Sequence, residues 1–121
     1  MRIILFFLLS LYSSSYAQSF LNANDFKKKT ASDIVVVEFW SDWNSSNEVE
    51  YLGKLNCKTY RLDIAQHPAV QSKNKVSILP TVIIYDNGKE VFRYEADLSF
   101  RLDATKSEIQ AKIDEIQMQK F

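Results

Sequence analysis

The fold of this chain is decided by residues 34–47, which read Ile34-Val35-Val36-Val37-Glu38-Phe39-Trp40-Ser41-Asp42-Trp43-Asn44-Ser45-Ser46-Asn47. The first half of this stretch is apolar on both alternating sets of positions, with Glu38 as the exception. Strands with that pattern lie in the middle of a sheet whose two faces are both covered. The stretch therefore predicts a central, buried strand that leads into a Trp-x-x-Trp motif and a polar segment.

The rest of the chain alternates between helix and strand signals. Apolar spacing, turn residues and capping motifs predict these elements in order: a short helix at 24–30, the strand at 34–40, a helix opened by Ser45-x-x-Glu48, a strand at 60–64, a helix at 68–74, strands at 81–85 and 90–95 joined by an Asn87-Gly88 turn, and a helix opened by Thr105-x-x-Glu108. A strand-helix-strand unit makes its strands parallel, and the hairpin adds antiparallel ones. The sequence thus predicts one α/β domain with a mixed sheet.

Two motifs together resemble the thioredoxin family. They are the strand followed by Trp40-x-x-Trp43, and Ile78-Leu79-Pro80-Thr81 before a later strand. The resemblance covers about residues 20–116 and implies a thioredoxin-like fold, with a mixed four- to five-stranded sheet sandwiched between helices. Two segments depart from the family pattern. The helix after Asn47 is shorter, and residues 96–104 are longer and more apolar than the usual turn.

Asn44 and Asn47 stand where the resemblance places the two active-site cysteines of a thioredoxin. Disulfide exchange needs a thiolate, and an amide side chain has no ionisable proton to give one. Asn47 likewise cannot release a mixed disulfide. The resemblance therefore implies the scaffold of a disulfide exchanger without its reactive groups, and we assign no catalytic residue.

Other residues match functional positions of the family. Glu38 resembles the buried acid that assists proton transfer to the cysteines, and we expect it to remain as a relic satisfied by water, or beside a bound polar group. Pro80 resembles the family's cis-proline, and the backbone of its neighbours Leu79 and Thr81 is expected to be free to pair with an extended peptide. Trp43 either packs in the core or offers an aromatic surface contact.

The polar segment Asn44-Ser45-Ser46-Asn47 has two interpretations. Its hydroxyls, amides and free N–H groups at a helix start would bind a peptide or an anion. Ser and Asn are also the residues that simply cap helices. A hydrolytic role for Ser45 or Ser46 needs a base. The only histidine, His67, lies beyond the next predicted strand, so we do not assign such a role.

The N-terminus predicts that the protein is exported. Arg2, the apolar run at 3–11 and Ser15-Tyr16-Ala17 have the order of an export signal. They predict a signal peptide at 1–17 and a mature domain at 18–121 that is periplasmic or secreted, with an uncleaved anchor as the alternative.

The net charge argues against nucleic-acid binding. The chain has 15 basic and 15 acidic residues, so loss of Arg2 leaves a net charge of about −1 on the mature domain. That charge does not attract the phosphates of a nucleic acid.

Cys57 is the only cysteine, so no internal disulfide can form. In an oxidising compartment it is either a packed thiol at the start of a strand or a partner in an intermolecular disulfide. At about 3.3 Å per residue, the intervening strand separates Cys57 from His67 by more than about 20 Å, which excludes a dyad. One Cys and one His do not predict a metal site, and we expect no cofactor.

Three functions remain open. The leading hypothesis is a non-catalytic module that binds an extended peptide or a partner protein across Trp43, residues 44–47 and the Leu79-Pro80-Thr81 loop. The second is thiol-disulfide redox activity through Cys57. The third is a structural or assembly module with an apolar contact surface formed by Leu98, Phe100 and Leu102.

Overall fold

A computed structural model describes residues 19–120. Its strands and α-helices are β1 Phe20–Leu21, α1 Ala23–Thr30, β2 Ile34–Trp40, β3 Lys58–Asp63, α2 Pro68–Lys73, β4 Thr81–Asp86, β5 Lys89–Glu95 and α3 Lys106–Gln119. Two short 3-10 helices, Asp42–Asn47 and Leu52–Lys54, connect β2 to β3. The predicted signal peptide lies outside the described residues. Within 19–120, every helix is too short or too polar to cross a membrane.

The strand β2 lies at the centre of a five-stranded sheet with the order β1-β3-β2-β4-β5. Both β1 and β2 run parallel to β3, whereas β4 is antiparallel to β2 and to β5. This mixed sheet between helices confirms the predicted α/β fold class. The strand β1 has no counterpart among the predicted elements, because two residues are too few to give a periodic signal.

Both faces of the sheet are covered, as the pattern of β2 predicts. Val36 packs in one apolar cluster with the buried isoleucines of α3. Val35 and Val37 belong to a second cluster, against which residues of α1 and α2 pack. All three valines are fully buried, and burial of one such side chain contributes about 1.5–3 kcal/mol. Side chains of β2 therefore pack against the helices on both faces of the sheet.

The predicted helix opened by Ser45-x-x-Glu48 is wrong. The backbone of Glu48 is extended, with ψ at 156°, and its side chain accepts a hydrogen bond from Trp40 Nε1 at 2.8 Å instead of capping Ser45. The chain therefore leaves β2 through 3-10 turns rather than an α-helix. The apolar residues that suggested a helix stripe, Val49, Leu52 and Leu55, are buried nonetheless, because the turns direct them into the core.

The turn and the second capping box form as predicted. Asn87 and Gly88 have φ of 52° and 84°, the left-handed geometry that a two-residue hairpin requires. At the start of α3, the Thr105 side chain accepts a hydrogen bond from the Glu108 N–H, and the Glu108 carboxylate accepts one from the Thr105 N–H. The strand β5 before residues 96–104 and the helix α3 after them therefore form as the sequence predicts.

Candidate functional site

Asn44 joins three segments of the chain at the position of the first thioredoxin cysteine. Its side-chain Nδ2 donates to the carbonyl oxygens of Leu79 at 3.3 Å and Phe100 at 3.2 Å. Its Oδ1 accepts a hydrogen bond from Asn47 Nδ2 at 2.9 Å. The residue is only 7% exposed and lies at a kink between two 3-10 turns, where its own backbone is not helical, with φ of −117°. It is therefore a buried structural link, so its side chain is not an open polar group at a helix start.

Residues 97–102, which we call the strap, lie over Asn44. Phe100 has a φ of 62°, and its N–H donates to the Asp97 carbonyl at 3.0 Å. The Asp97 carboxylate accepts hydrogen bonds from the Ser99 N–H and hydroxyl. This compact turn brings the Phe100 carbonyl to Asn44. The longer segment noted in the sequence therefore covers the former thiol position.

The side chain of Trp43 lies on the surface and is not packed in the core. It is 63% exposed, and its ring meets Phe100 edge-on with centroids 5.2 Å apart. On the strap, Phe100 is 40% and Leu98 is 93% exposed. We call these three residues the apolar patch. In contrast, Trp40 is half-buried and packs edge-on against Phe20.

The loop Leu79-Pro80-Thr81 is less accessible than the sequence suggests. All three residues are buried, and the Leu79–Pro80 peptide bond is cis. The Leu79 carbonyl is bound by Asn44, and the Pro80 carbonyl accepts the Ala96 N–H at 3.1 Å. The Thr81 hydroxyl donates to the Ile78 carbonyl. The expectation of free backbone is therefore wrong for the Leu79 carbonyl, and the chain itself also occupies the Pro80 carbonyl.

Glu38 is paired with an arginine rather than satisfied by water. Its side chain is fully buried, and its carboxylate accepts hydrogen bonds from Arg61 Nε at 2.9 Å and the Val49 N–H at 3.1 Å. Arg61 also donates to the Val49 carbonyl at 3.0 Å and lies 3.7 Å from the Glu48 carboxylate. Burial raises the pKa of Glu38 to about 7, and the Arg61 guanidinium opposes that rise.

Arg61 is the residue of this region that the sequence reasoning missed. It is directly opposite Glu38 in the register of β2 and β3. The signal was the single acidic residue of the apolar strand β2 and a basic residue in the mixed sequence of β3, and these two become a pair only when the register is known. Buried charges of opposite sign persist when they are paired and hydrogen-bonded.

The remaining polar residues of the segment differ in exposure. Ser46 is exposed, whereas Ser45 and Asn47 are half-buried. Beneath them, the space lined by Glu38, Asn44 and Pro80 has a cavity volume of ≈ 0 Å³ and so has no room for a water or a ligand. A ligand at this site therefore meets the outer face, formed by Trp43, Ser46 and the strap.

Cys57 and His67 lie apart from this site. Cys57 is half-buried just before β3 and packs against the cluster that contains α3. Burial raises the pKa of its thiol to about 11. His67 precedes α2, beyond the other end of β3. Among residues 19–120, the His, Cys, Asp and Glu side chains form no group that could hold a metal ion.

Comparisons with known proteins agree with this architecture. The family model Thioredoxin matches residues 17–115. Thioredoxin-1 of Saccharomyces cerevisiae is 32% identical over 80 residues, which cover 60% of this chain and 78% of that protein. Thioredoxin of Staphylococcus aureus is 27% identical over 77 residues, covering 55% of this chain and 72% of the relative.

Solved structures show the same fold. A mutant thioredoxin from Halobacterium salinarum superposes with a TM-score of 0.65 at 18% identity, over 81% of this chain and 88% of that one. Mitochondrial thioredoxin 3 of Saccharomyces cerevisiae gives a TM-score of 0.64 at 17% identity, over 81% and 94% of the two chains. With the central strand, the Trp-x-x-Trp segment and the cis-proline loop in place, this single-cysteine chain belongs to the thioredoxin family.

Proposed function

We propose that this protein is an exported, non-catalytic member of the thioredoxin family that binds an extended peptide or a partner protein on the face above Asn44. The observation that carries the proposal is Trp43, a large aromatic side chain that is 63% exposed beside a position where the family's chemistry is missing. Export is supported by the order of charge, apolar run and small residues at 1–17.

The apolar patch has the composition of a protein-binding surface. Trp43 and Phe100 pack edge-on, and the almost fully exposed Leu98 extends the apolar surface along the strap. Aromatic side chains that are partly held by a neighbour dominate binding energies, because little conformational freedom remains to be lost. The patch is thus the expected anchor for an apolar side chain of the partner.

Polar groups beside the patch can align the partner's backbone. Ser46 is exposed, and Ser45 and Asn47 are half-buried. Because the Leu79 and Pro80 carbonyls are already occupied, the partner lies on the outside of the strap or displaces it from Asn44. Both routes keep Trp43 in the interface.

The chemistry of the site supports binding over disulfide exchange. The only thiol, Cys57, is half-buried and has a pKa raised to about 11, so little of it is the reactive thiolate at neutral pH. Asn44 and Asn47 hydrogen-bond each other and carry no group that attacks a disulfide. This arrangement does not favour the alternative of single-thiol redox activity.

The test is selection of peptides from a random library on the immobilised mature domain. Peptides that bind are then measured against Trp43→Ala and against Phe92→Ala, a control on β5 whose ring is exposed to 40%, as Phe100 is. We expect Trp43→Ala to weaken binding by about 30-fold, the effect of a 2 kcal/mol hot spot, and Phe92→Ala by less than about twofold. Equal losses in both variants, or no enriched peptide, would contradict the proposal.

The redox alternative is tested separately by reduction of an insulin disulfide. We expect no turnover above the rate without protein. Turnover that disappears in Cys57→Ser would contradict the non-catalytic assignment. The assembly alternative is tested by light scattering, where an oligomer that dissociates in Leu98→Ser would assign the apolar patch to contacts between copies.

A further inference from the structure

A groove lies on the α1 and α2 side of the sheet, in a part of the protein that the proposed function does not use. Its cavity volume is ≈ 610 Å³, within the range of about 300–1,000 Å³ typical of small-molecule sites. One wall is a single face of α1, and the opposite wall is a face of α2. Tyr85 of β4 and the Asn87-Gly88 turn close the third side.

The groove is open because its helix faces carry small side chains. Ala23 and Ala31 lie on the α1 wall, and Ala69 lies on the α2 wall. Phe26 and Tyr85 form an aromatic pair within the lining, edge-on with centroids 5.6 Å apart. The surface offered to a ligand is therefore mainly apolar and includes the half-buried ring of Phe26, whereas the ring of Tyr85 is itself buried, with 3% exposure.

Of the four uncharged polar side chains in the lining, those of Thr30, Asn74 and Tyr85 are paired within the protein, and Asn87 Oδ1 accepts the Asp33 N–H at 3.0 Å. The Tyr85 hydroxyl donates to Asn74 Oδ1 at 2.8 Å, and Asn74 Nδ2 donates to the Val70 carbonyl at 2.9 Å. The Thr30 hydroxyl donates to the Phe26 carbonyl at 2.9 Å. A ligand therefore gains little from additional neutral polar groups, since their partners would have to give up existing bonds.

The charged residues that line the groove are both basic. Lys27 from α1 and Lys73 from α2 line it on opposite walls, and no aspartate or glutamate is among its lining residues. Each ammonium has three donors and no acceptor, so it favours an anion. Their aliphatic stems also extend the apolar surface toward the opening.

We propose that this groove binds a small amphipathic anion, a carboxylate or sulfonate with an apolar body, with the anionic group between Lys27 and Lys73 and the body against Phe26 and Val70. The chemistry of the lining excludes the other charge classes. A cation meets two ammonium groups, and a polyol finds the hydroxyls of Thr30 and Tyr85 already committed to bonds within the protein. This site is independent of the apolar patch.

The test uses 8-anilinonaphthalene-1-sulfonate as a fluorescent probe on the folded mature domain, displaced by octanoate, 1-octanol or octylammonium. We expect octanoate to compete better than 1-octanol by about fivefold at low salt, the effect of two partly exposed charge pairs, and octylammonium to compete worst. Lys27→Gln/Lys73→Gln should remove the advantage of octanoate and leave 1-octanol unchanged. The matched control is Lys28→Gln/Lys29→Gln, which makes the same charge change on α1 outside the lining.

A second variant, Ala69→Phe, fills the groove from α2 without changing charge. It should weaken all three competitors and the probe by about tenfold or more, while circular dichroism shows the same fold as the wild type. Equal competition by octanoate and 1-octanol would overturn the proposal. Unchanged binding in Ala69→Phe would also overturn it, as would a loss in the control variant equal to that in Lys27→Gln/Lys73→Gln.

Discussion

The Arg61→Met variant tests how the buried acid Glu38 is held. Met fills much of the space of the arginine stem but provides neither the 2.9 Å bond from Nε to Glu38 nor the 3.0 Å bond from Nη2 to the Val49 carbonyl. Removing one partner of a buried ion pair costs about 3–5 kcal/mol when the other charge stays behind. Here the cost should depend on pH, because the remaining carboxyl can take up a proton.

The sign of that dependence follows from the pKa of Glu38, which burial raises from 4.5 to about 7. The folded protein holds this proton more tightly than the unfolded chain does. The contribution of Glu38 to the free energy of unfolding is therefore highest below pH 4.5 and falls as the pH rises through 7. Without Arg61 the pKa of Glu38 moves higher still. Above pH 7 the free energy of unfolding of the variant therefore falls by up to about 1.4 kcal/mol per pH unit more than that of the wild type.

Urea denaturation at pH 5 and pH 9 measures the effect. Loss of the bond to Val49 costs about 1–2 kcal/mol at either pH. The total is expected to be about 1–2 kcal/mol at pH 5 and about 3–5 kcal/mol at pH 9. Lys58→Met removes an exposed charge from the same strand and should show no such dependence, and Glu38→Gln in the Arg61→Met background should abolish it. An Arg61→Met cost that is equal at the two pH values would refute the reasoning.

Three further predictions concern the neighbouring segments. Thr105→Ala should lower the free energy of unfolding by about 1 kcal/mol because it removes a helix cap, whereas Ser45→Ala should change it by less than about 0.5 kcal/mol. Equal losses in urea denaturation would indicate that Ser45 also caps a helix. Asn44→Ala should speed amide hydrogen exchange at Phe100 about fivefold to tenfold, since one bond of about 1 kcal/mol no longer holds the strap, and unchanged exchange would contradict that link. Cys57 should react with iodoacetamide at neutral pH about tenfold more slowly than a free cysteine. Its thiol has a pKa of about 11, and the lower thiolate fraction outweighs the higher nucleophilicity of that thiolate. A rate equal to that of a free cysteine would show an accessible thiolate.

Most of the fold could be predicted because local and tertiary preferences agree. The β2 segment is apolar on both faces and is buried on both, and the Asn87-Gly88 pair gives the hairpin that its φ values require. Thr105-x-x-Glu108 forms a capping box. Each of these signals depends on neighbours within a few residues, which is what a single sequence records.

The failures share a physical cause, since each depends on a partner beyond the few residues that a local motif spans. Glu48 does not cap Ser45 because Trp40 Nε1 binds its carboxylate. Glu38 does not need water because Arg61 lies opposite it in the next strand. Asn44 is not an open polar group, because a carbonyl 56 positions away, that of Phe100, accepts its amide hydrogen.

An amide and indole NMR titration of the mature domain with a selected peptide locates the surface that the peptide binds. Binding on the face above Asn44 predicts shifts at the Trp43 indole N–H, at residues 45–47 and along the strap. Residues of α3 and of the groove beside α1 should keep their positions. Shifts centred on β5 or on that groove, with the Trp43 indole unmoved, would contradict the account.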